Sequence, residues 1–220
     1  IIFQKYGQIH SAKAHKEVII CSGAINSPQL LQLSGIGDAN HLGSLGVPVI
    51  APLSGVGQNL QDHVNAPLLY ECNLAQTAND LFHSPIRKLQ EGLKYIFQRR
   101  GMLTMGACYA GGYMKIHPSS STPDIQSLLL LFSTEDLGGI PHKFSGLTVN
   151  VALMRPESRG YVNARSSDIS QPPEIQPNYL DDEKDRDTLV AGMMRTRKIM
   201  REPSMKRFIT KEYNPTQDIQ

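Results

Sequence analysis

The sequence predicts an α/β protein, and three observations carry that expectation. The run Glu17-Val18-Ile19-Ile20-Cys21 is short, continuous and apolar, as in a strand buried on both faces of a parallel sheet. It stops at Gly23, where a backbone turn meets no Cβ, and a helix signal follows at once. Further along, two strand-like runs (127–133 and 147–154) precede a long helical pattern near the C-terminus.

The elements follow in order. Ile1 to Phe3 and Gln8 to Ala14 predict two short strands about a turn at Tyr6-Gly7, leading into the apolar run at 17–21. For the helix after Gly23, Asn26 or Ser27 is the expected N-cap, and Pro28 suits the first helical position, where a missing N–H costs nothing. Leu30, Leu31 and Leu33 predict its apolar face, and Gly35 its C-terminal stop. The stretch LSGVGQNLQDH (53–63) reads as an ordered surface loop rich in side chain–backbone hydrogen bonds.

Residues 66–74 alternate as a strand. In 86–100, Ile86, Leu89, Leu93, Ile96 and Phe97 share one helical face, and Gly101 ends the helix. The segment 102–122 predicts a loop with one strand near Ala110 to Ile116, and 135–146 a long loop. In DDEKDRDTLVAGMMRTRKIMRE (181–202) acids crowd the start and bases the end, as the helix dipole favours. Leu189, Met193, Thr196 and Met200 mark its buried stripe.

Bulk properties narrow the function. The chain has 220 residues, 40% hydrophobic and 19% charged, with net charge +2. That balance argues against nucleic acid or an anionic membrane as a default partner, and no run of about 18 apolar residues predicts a membrane span. Cys21, Cys72 and Cys108 are an odd, widely spaced set that suits neither a disulfide framework nor a zinc site. A start at IIFQKYG, without Met or leader, is expected of a fragment.

Self-contained chemistry is hard to find in the residues. No GxGxxG, P-loop, GxSxG or HExxH pattern occurs. Asp62-His63 could form an acid/base dyad, but fixing the loop around them is the favoured reading. His10 and His15 read as exposed histidines, the acids at 181–187 as a helix N-terminus, and Arg155, Arg159 and Arg165 as a solvated hairpin around Gly160.

Ordered motifs add what single residues lack. Gly23-Ala24, Ser27-Pro28, Leu30-Leu31 and Ser34-Gly35-Ile36-Gly37 together resemble the second signature of the glucose–methanol–choline (GMC) oxidoreductases, flavoenzymes that oxidise alcohols with FAD. Lys16 to Ile20 and Gly55-Val56-Gly57, Asn59-Leu60-Gln61-Asp62-His63 resemble flanking family stretches. Arg155-Pro156, Ser158-Arg159-Gly160, Val162, Pro173, Ile175 and Asn178-Tyr179-Leu180 look like the opening of the family's C-terminal domain, continued by Asp187 and Gly192. The wording is most similar to insect glucose dehydrogenase-like members. Cys21-Ser22 stands where many relatives carry Ser-Ala, and Gly111-Gly112-Tyr113 where relatives are less glycine-rich.

The resemblance implies part of a Rossmann-like FAD-binding domain joined to an α+β substrate-binding domain with an antiparallel sheet. The implied parts are residues 1–65 of the FAD-binding domain, a substrate-covering region at 66–154, and the start of the C-terminal domain at 155–220. It implies FAD as cofactor, an alcohol or sugar as small-molecule substrate, and Cys21, Ser22, Gly23 and Ala24 as a cofactor-lining turn. The family's nucleotide fingerprint and catalytic histidine have no counterpart in this sequence, so no catalytic residue and no metal ligand is assigned. A truncated, inactive binding or interaction module is the alternative reading.

Overall fold

The computed structural model describes residues 1–73, 77–136 and 138–215. In chain order the elements are β1 (Ile2–Lys5), β2 (Gln8–Ser11), α1 (Gly23–Leu33), β3 (Ile36–Gly37), α2 (Ala39–Ser44), β4 (Ala51–Pro52) and β5 (Gln58–Leu60). There follow β6 (Asn65–Cys72), α3 (Ala78–His83), α4 (Pro85–Gln98), β7 (Cys108–Met114), β8 (Ile125–Leu130) and β9 (Gly146–Leu153). The last are β10 (Gly160–Asn163), β11 (Glu174–Gln176), α5 (Glu183–Met200), α6 (Pro203–Lys206) and β12 (Ile209–Asn214). They divide into two compact units, Ile1–Leu60 with Gly160–Pro177, and Gln61–Arg159 with Asn178–Gln220.

In the first unit, β1 and β2 form the expected hairpin. Tyr6 (φ 52°) and Gly7 (φ 79°) are both left-handed, the geometry that matches a two-residue turn to strand twist. The expected strand at 17–21 is not formed; the segment is irregular and Ile19 is 75% exposed. A strand needs a neighbour for its N–H and C=O groups, and among the described residues none pairs with this run.

Helix α1 also starts earlier than expected. Ser22 is its N-cap and Pro28 lies inside it. Proline there offers no N–H to the carbonyl of Ala24. Its buried face is polar, since Gln29 and Gln32 are inside while Leu30 is exposed. The apolar-face expectation fails because α1 packs on loop and strand backbone that needs hydrogen bonds, not on a hydrophobic layer.

Gly35 ends α1 as expected, at φ +82°. Its carbonyl accepts from Ile50 and Ala51 N–H at 2.8 and 3.1 Å, beside the parallel pair β3–β4. The third sheet has the order β11-β10-β5, so part of the expected 53–63 loop is a strand. Gly160 opens β10 instead of making a hairpin turn: a Cβ there would lie 1.9 Å from the Gln176 carbonyl oxygen.

The second unit is built on a five-stranded antiparallel sheet of order β12-β6-β9-β8-β7. Helix α5 covers one face. Leu68, Tyr70 and Cys72 from β6, Ile125 from β8, and Leu147, Val149, Val151 and Leu153 from β9 meet Leu189 and Met200 of α5. At Gly192 a Cβ would stand 2.8 Å from Ile125 Cγ1, so glycine lets helix and sheet approach closely. The predicted strands fall on β6, β7, β8 and β9; Leu74 of the first and Leu137 of the long loop lie outside the described residues.

The acid-rich start of α5 does what was expected and more. Asp182 caps the helix, accepting from Lys184 N–H at 2.8 Å. Asp185 is buried and accepts from the N–H groups of Glu157 (2.8 Å) and Ser158 (2.9 Å) and from the Ser158 hydroxyl (2.6 Å). Burial opposes its ionisation, yet these donors together outweigh burial and hold its pKa below the usual carboxylate range.

Helix α4 has the expected period, and its apolar face is open. Among its described residues none is buried, and Leu89 is 64% exposed. Sequence periodicity reports which residues share a face, not what covers that face.

Candidate functional site

Cys21, Ser22, Gly23 and Ala24 form an exposed turn at the N-terminus of α1. Ser22 makes no side-chain capping bond, and the first turn carries no acid. The leading N–H groups therefore keep the partial positive charge of a helix start, which favours an anion. Gly23 sits at φ +78°, and nothing lies within 4 Å of where a Cβ would project. That combination, open backbone N–H groups beside a glycine with free space above it, fits a dinucleotide lying along the backbone. The Cys21 thiol is free.

Polar contacts hold this turn in place from behind. Gln29 Nε2 donates to the Gln171 carbonyl at 2.8 Å. Gln32 Nε2 lies within 3.2–3.3 Å of the Val56 and Val162 carbonyls and of Asn163 Oδ1, and its Oε1 accepts from Ala164 N–H at 2.7 Å. Gly57, at φ +83°, passes so close that a Cβ would stand 2.2 Å from the Val162 oxygen and 2.5 Å from Gln32 Nε2. Sequence reasoning missed Gln32. A glutamine within a short helix beside two GxG pairs is the available signal, and it is a weak one.

In the second unit, Asp62 and His63 do not pair through their side chains. Asp62 Oδ1 accepts from His63 N–H at 2.9 Å, its other oxygen accepts from the Tyr179 hydroxyl, and His63 Nε2 lies 3.2 Å from the Met154 carbonyl oxygen. The bond to Asp62 raises the Tyr179 pKa. Both side chains fix the loop, as favoured from the sequence. Arg159 Nη1 donates to the carbonyls of Pro156 (2.6 Å) and Ser158 (3.0 Å), and Arg155 donates to the Thr122 hydroxyl. A nearby cleft of about 180 Å³ includes Asp124, Glu157, Lys184 and Asp185 in its lining. Each of these four has a local partner: Asp124 accepts from Ile116 N–H (2.7 Å) and the Ser120 hydroxyl (2.5 Å), and Lys184 pairs with Glu157 at 2.8 Å. Among the described residues no group of three His, Cys, Asp or Glu could hold a metal ion.

The sheet face away from α5 has a different character. Strand alternation places Asn65, Ala152, Gln126 and Tyr113 in one cross-strand row, and Pro67, Asn150, Leu128 and Gly111 in the next. Gln126 Nε2 donates to the Tyr113 hydroxyl at 2.9 Å. None of these eight residues is charged; further along β6 the same face carries Glu71, which pairs with Lys211 at 3.1 Å. Neutral amides and a phenol set among apolar groups can hydrogen-bond a hydroxyl-bearing molecule without placing an ion against it. The alternation in Thr148-Val149-Asn150-Val151 carried this signal, though sequence reasoning did not use it.

The chain thus holds an open helix N-terminus in one unit and a polar sheet face in the other. Comparison with known proteins places it. Residues 1–65 and 156–220 match the N-terminal and C-terminal profiles of the GMC oxidoreductases. The chain belongs to the GMC oxidoreductase family. It is 39% identical over 218 residues to the mitochondrial choline dehydrogenase of Homo sapiens, covering 99% of this chain and 36% of that protein. It is 36% identical over 199 residues to an alcohol dehydrogenase [acceptor] of Pseudomonas putida, covering 90% of this chain and 36% of that one. The fold superposes on an FAD-dependent oxidoreductase from Chaetomium thermophilum with TM-score 0.81 and 22% identity, over 98% of this chain and 43% of the other. The chain thus spans little more than a third of the length of these curated relatives.

Proposed function

We propose that this chain is part of an FAD-dependent oxidoreductase acting on the CH–OH group of a small alcohol. FAD, when bound, supplies the hydride acceptor for the alcohol carbon. The backbone of Cys21, Ser22, Gly23 and Ala24 lies along the dinucleotide, with α1 offering its first N–H groups to negative charge. Residues 1–65 serve the FAD-binding domain and 66–154 cover the substrate. The polar face bearing Asn65, Asn150, Gln126 and Tyr113 contributes to the substrate wall by hydrogen-bonding and by excluding water. The proton leaves to a base outside this chain.

The observation that carries the reading is the pair of GMC profiles at 1–65 and 156–220, found on a chain whose Gly23 turn is open to a ligand. The relatives described above are choline and alcohol dehydrogenases, which support an alcohol substrate and give no support to a placement among insect glucose dehydrogenase-like members.

Full-length protein purified from its source tests this directly. Bound flavin absorbance and dye reduction dependent on choline, a simple primary alcohol or glucose are expected, with choline or the primary alcohol ahead of glucose. Protein lacking flavin, and inert to all three, would sink the proposal. Gly23→Val should lower flavin content at least tenfold while the sheet of the second unit stays folded, because the side chain both strains φ and occupies the ligand's space.

A further inference from the structure

Helix α4 turns an apolar face to solvent. Ile86, Leu89, Leu93, Ile96 and Phe97 fall in one arc of the helix, all are exposed, and Phe97 reaches 78%. The protein-facing side is marked by Glu91, the helix's single acid. Its carboxylate accepts from Met102 N–H at 2.9 Å and pairs with Lys94 at 3.3 Å. At 100° per residue, Arg87 and Lys94 flank the apolar arc on one side and Lys88 on the other, and Arg99 follows the helix as its left-handed C-cap. Lys88 Nζ sits 4.6 Å from the Phe82 ring centre and the Arg99 guanidinium 5.1 Å from that of Tyr95. Residues 85–100 thus hold five bases and one acid inside a chain whose net charge is only +2. The whole-chain balance that argued against an anionic membrane hid this local concentration.

We propose that α4 is an interfacial helix that lies on an anionic lipid surface. An apolar arc alone would suit any hydrophobic partner. The cations on both edges, with the carboxylate turned toward the protein's own backbone, select a surface that is apolar in its depth and negative at its rim. Long basic side chains at such edges reach up to lipid phosphates while the arc enters the acyl boundary. Among the described residues no helix is long and apolar enough to cross a membrane, so binding would be to the surface.

The test is co-sedimentation of the full-length protein with phosphatidylcholine vesicles, with and without phosphatidylglycerol. Binding is expected to the mixed vesicles and to weaken with added salt. The triple change Leu89→Gln, Leu93→Gln, Phe97→Gln should lower partitioning at least tenfold. Lys88→Gln and Lys94→Gln should each lower it about fivefold on mixed vesicles and little on neutral ones. Wild-type protein that stays in the supernatant with both vesicles overturns the proposal, as does a triple variant that binds undiminished. A triple variant that melts several degrees lower would show the arc covered by the protein's own chain. One that loses a dimer in sedimentation velocity would show it covered by a second copy. Either result also overturns it.

Discussion

The two units solve the same folding problem with different materials. The second closes a hydrophobic core within the chain, with ten mutually packed buried residues between a five-stranded sheet and α5. The first is organised by hydrogen bonds from Gln29 and Gln32 and by glycines where backbones nearly touch, while Val18 and Ile19 stay in solvent. A sheet that finds all its strands nearby can bury its apolar faces. An apolar run without neighbouring strands cannot, whatever its composition.

The comparison is tested most severely at Asp185. Replacing it with Ala leaves the Glu157 and Ser158 N–H groups and the Ser158 hydroxyl without their acceptor. The expected loss is about 4 kcal/mol in urea unfolding of the second unit, because buried donors left unpaired pay full desolvation. Asp185→Asn, which keeps one acceptor oxygen, should lose roughly half as much. If Asp185→Ala melts like wild type, the second unit depends on its apolar layer alone.

Leu68→Ala probes that layer and is expected to cost about 3 kcal/mol, since Leu68 is fully buried between sheet and helix. Acid should reach the same unit. Burial opposes ionisation at Asp80, Asp124 and Asp185, yet hydrogen bonds from Ser145 and Thr77, from Ser120, His117 and Ile116, and from Ser158 and Glu157 respectively outweigh it and hold each pKa low. A carboxylate with a depressed folded pKa stabilises the fold above its unfolded value near 4 and loses that contribution as pH falls through the folded value. The urea midpoint should therefore stay level above about pH 5 and fall below about pH 4. A midpoint that rises on acidification would contradict these assignments.

How much of this was legible in the sequence follows the same division. Strands β6, β8 and β9 and helix α5 could be read because their patterns are met by partners in the same chain. Gly35 could be read because a helix end needs left-handed backbone there. The strand at 17–21 was misread for want of neighbours; the shared face of α4 was read correctly, but periodicity does not say what covers it. Helix α1 was misread for another reason. Asn26, Ser27 and Pro28 form a good start signal, yet the helix begins at Gly23 behind its cap Ser22, and its buried residues are glutamines whose partners are up to 142 positions away. Among the candidate site residues, the Cys21 to Ala24 turn was assigned through family motifs alone, and the flavin-content test of Gly23→Val is what would decide it. The polar sheet face was not legible, because it exists only once four strands are in register.

Gln32 separates polar from apolar organisation in the first unit. Gln32→Leu keeps the volume but leaves Ala164 N–H and the Val162 carbonyl without their side-chain partner, and should cost about 2 kcal/mol. Amide exchange at Ala164 should rise correspondingly. An unchanged rate would mean the helix is held by packing after all.

The smallest effect expected is at Ile19, and it sharpens the comparison most. In this 220-residue chain Ile19→Ser should change stability by less than about 0.5 kcal/mol, because an exposed side chain loses little on becoming polar. The same substitution in the full-length protein has a different expectation. If neighbouring strands complete a sheet around residues 17–21, Ile19 becomes a buried branched side chain, and its replacement by a hydroxyl costs about 3 kcal/mol or more. A large effect in the long form and none in the short would show that the apolar run is written for a sheet the short chain does not contain. Equal, small effects in both would mean that the run is irregular in the longer protein too, and that the first unit owes its order to Gln32 and its glycines alone.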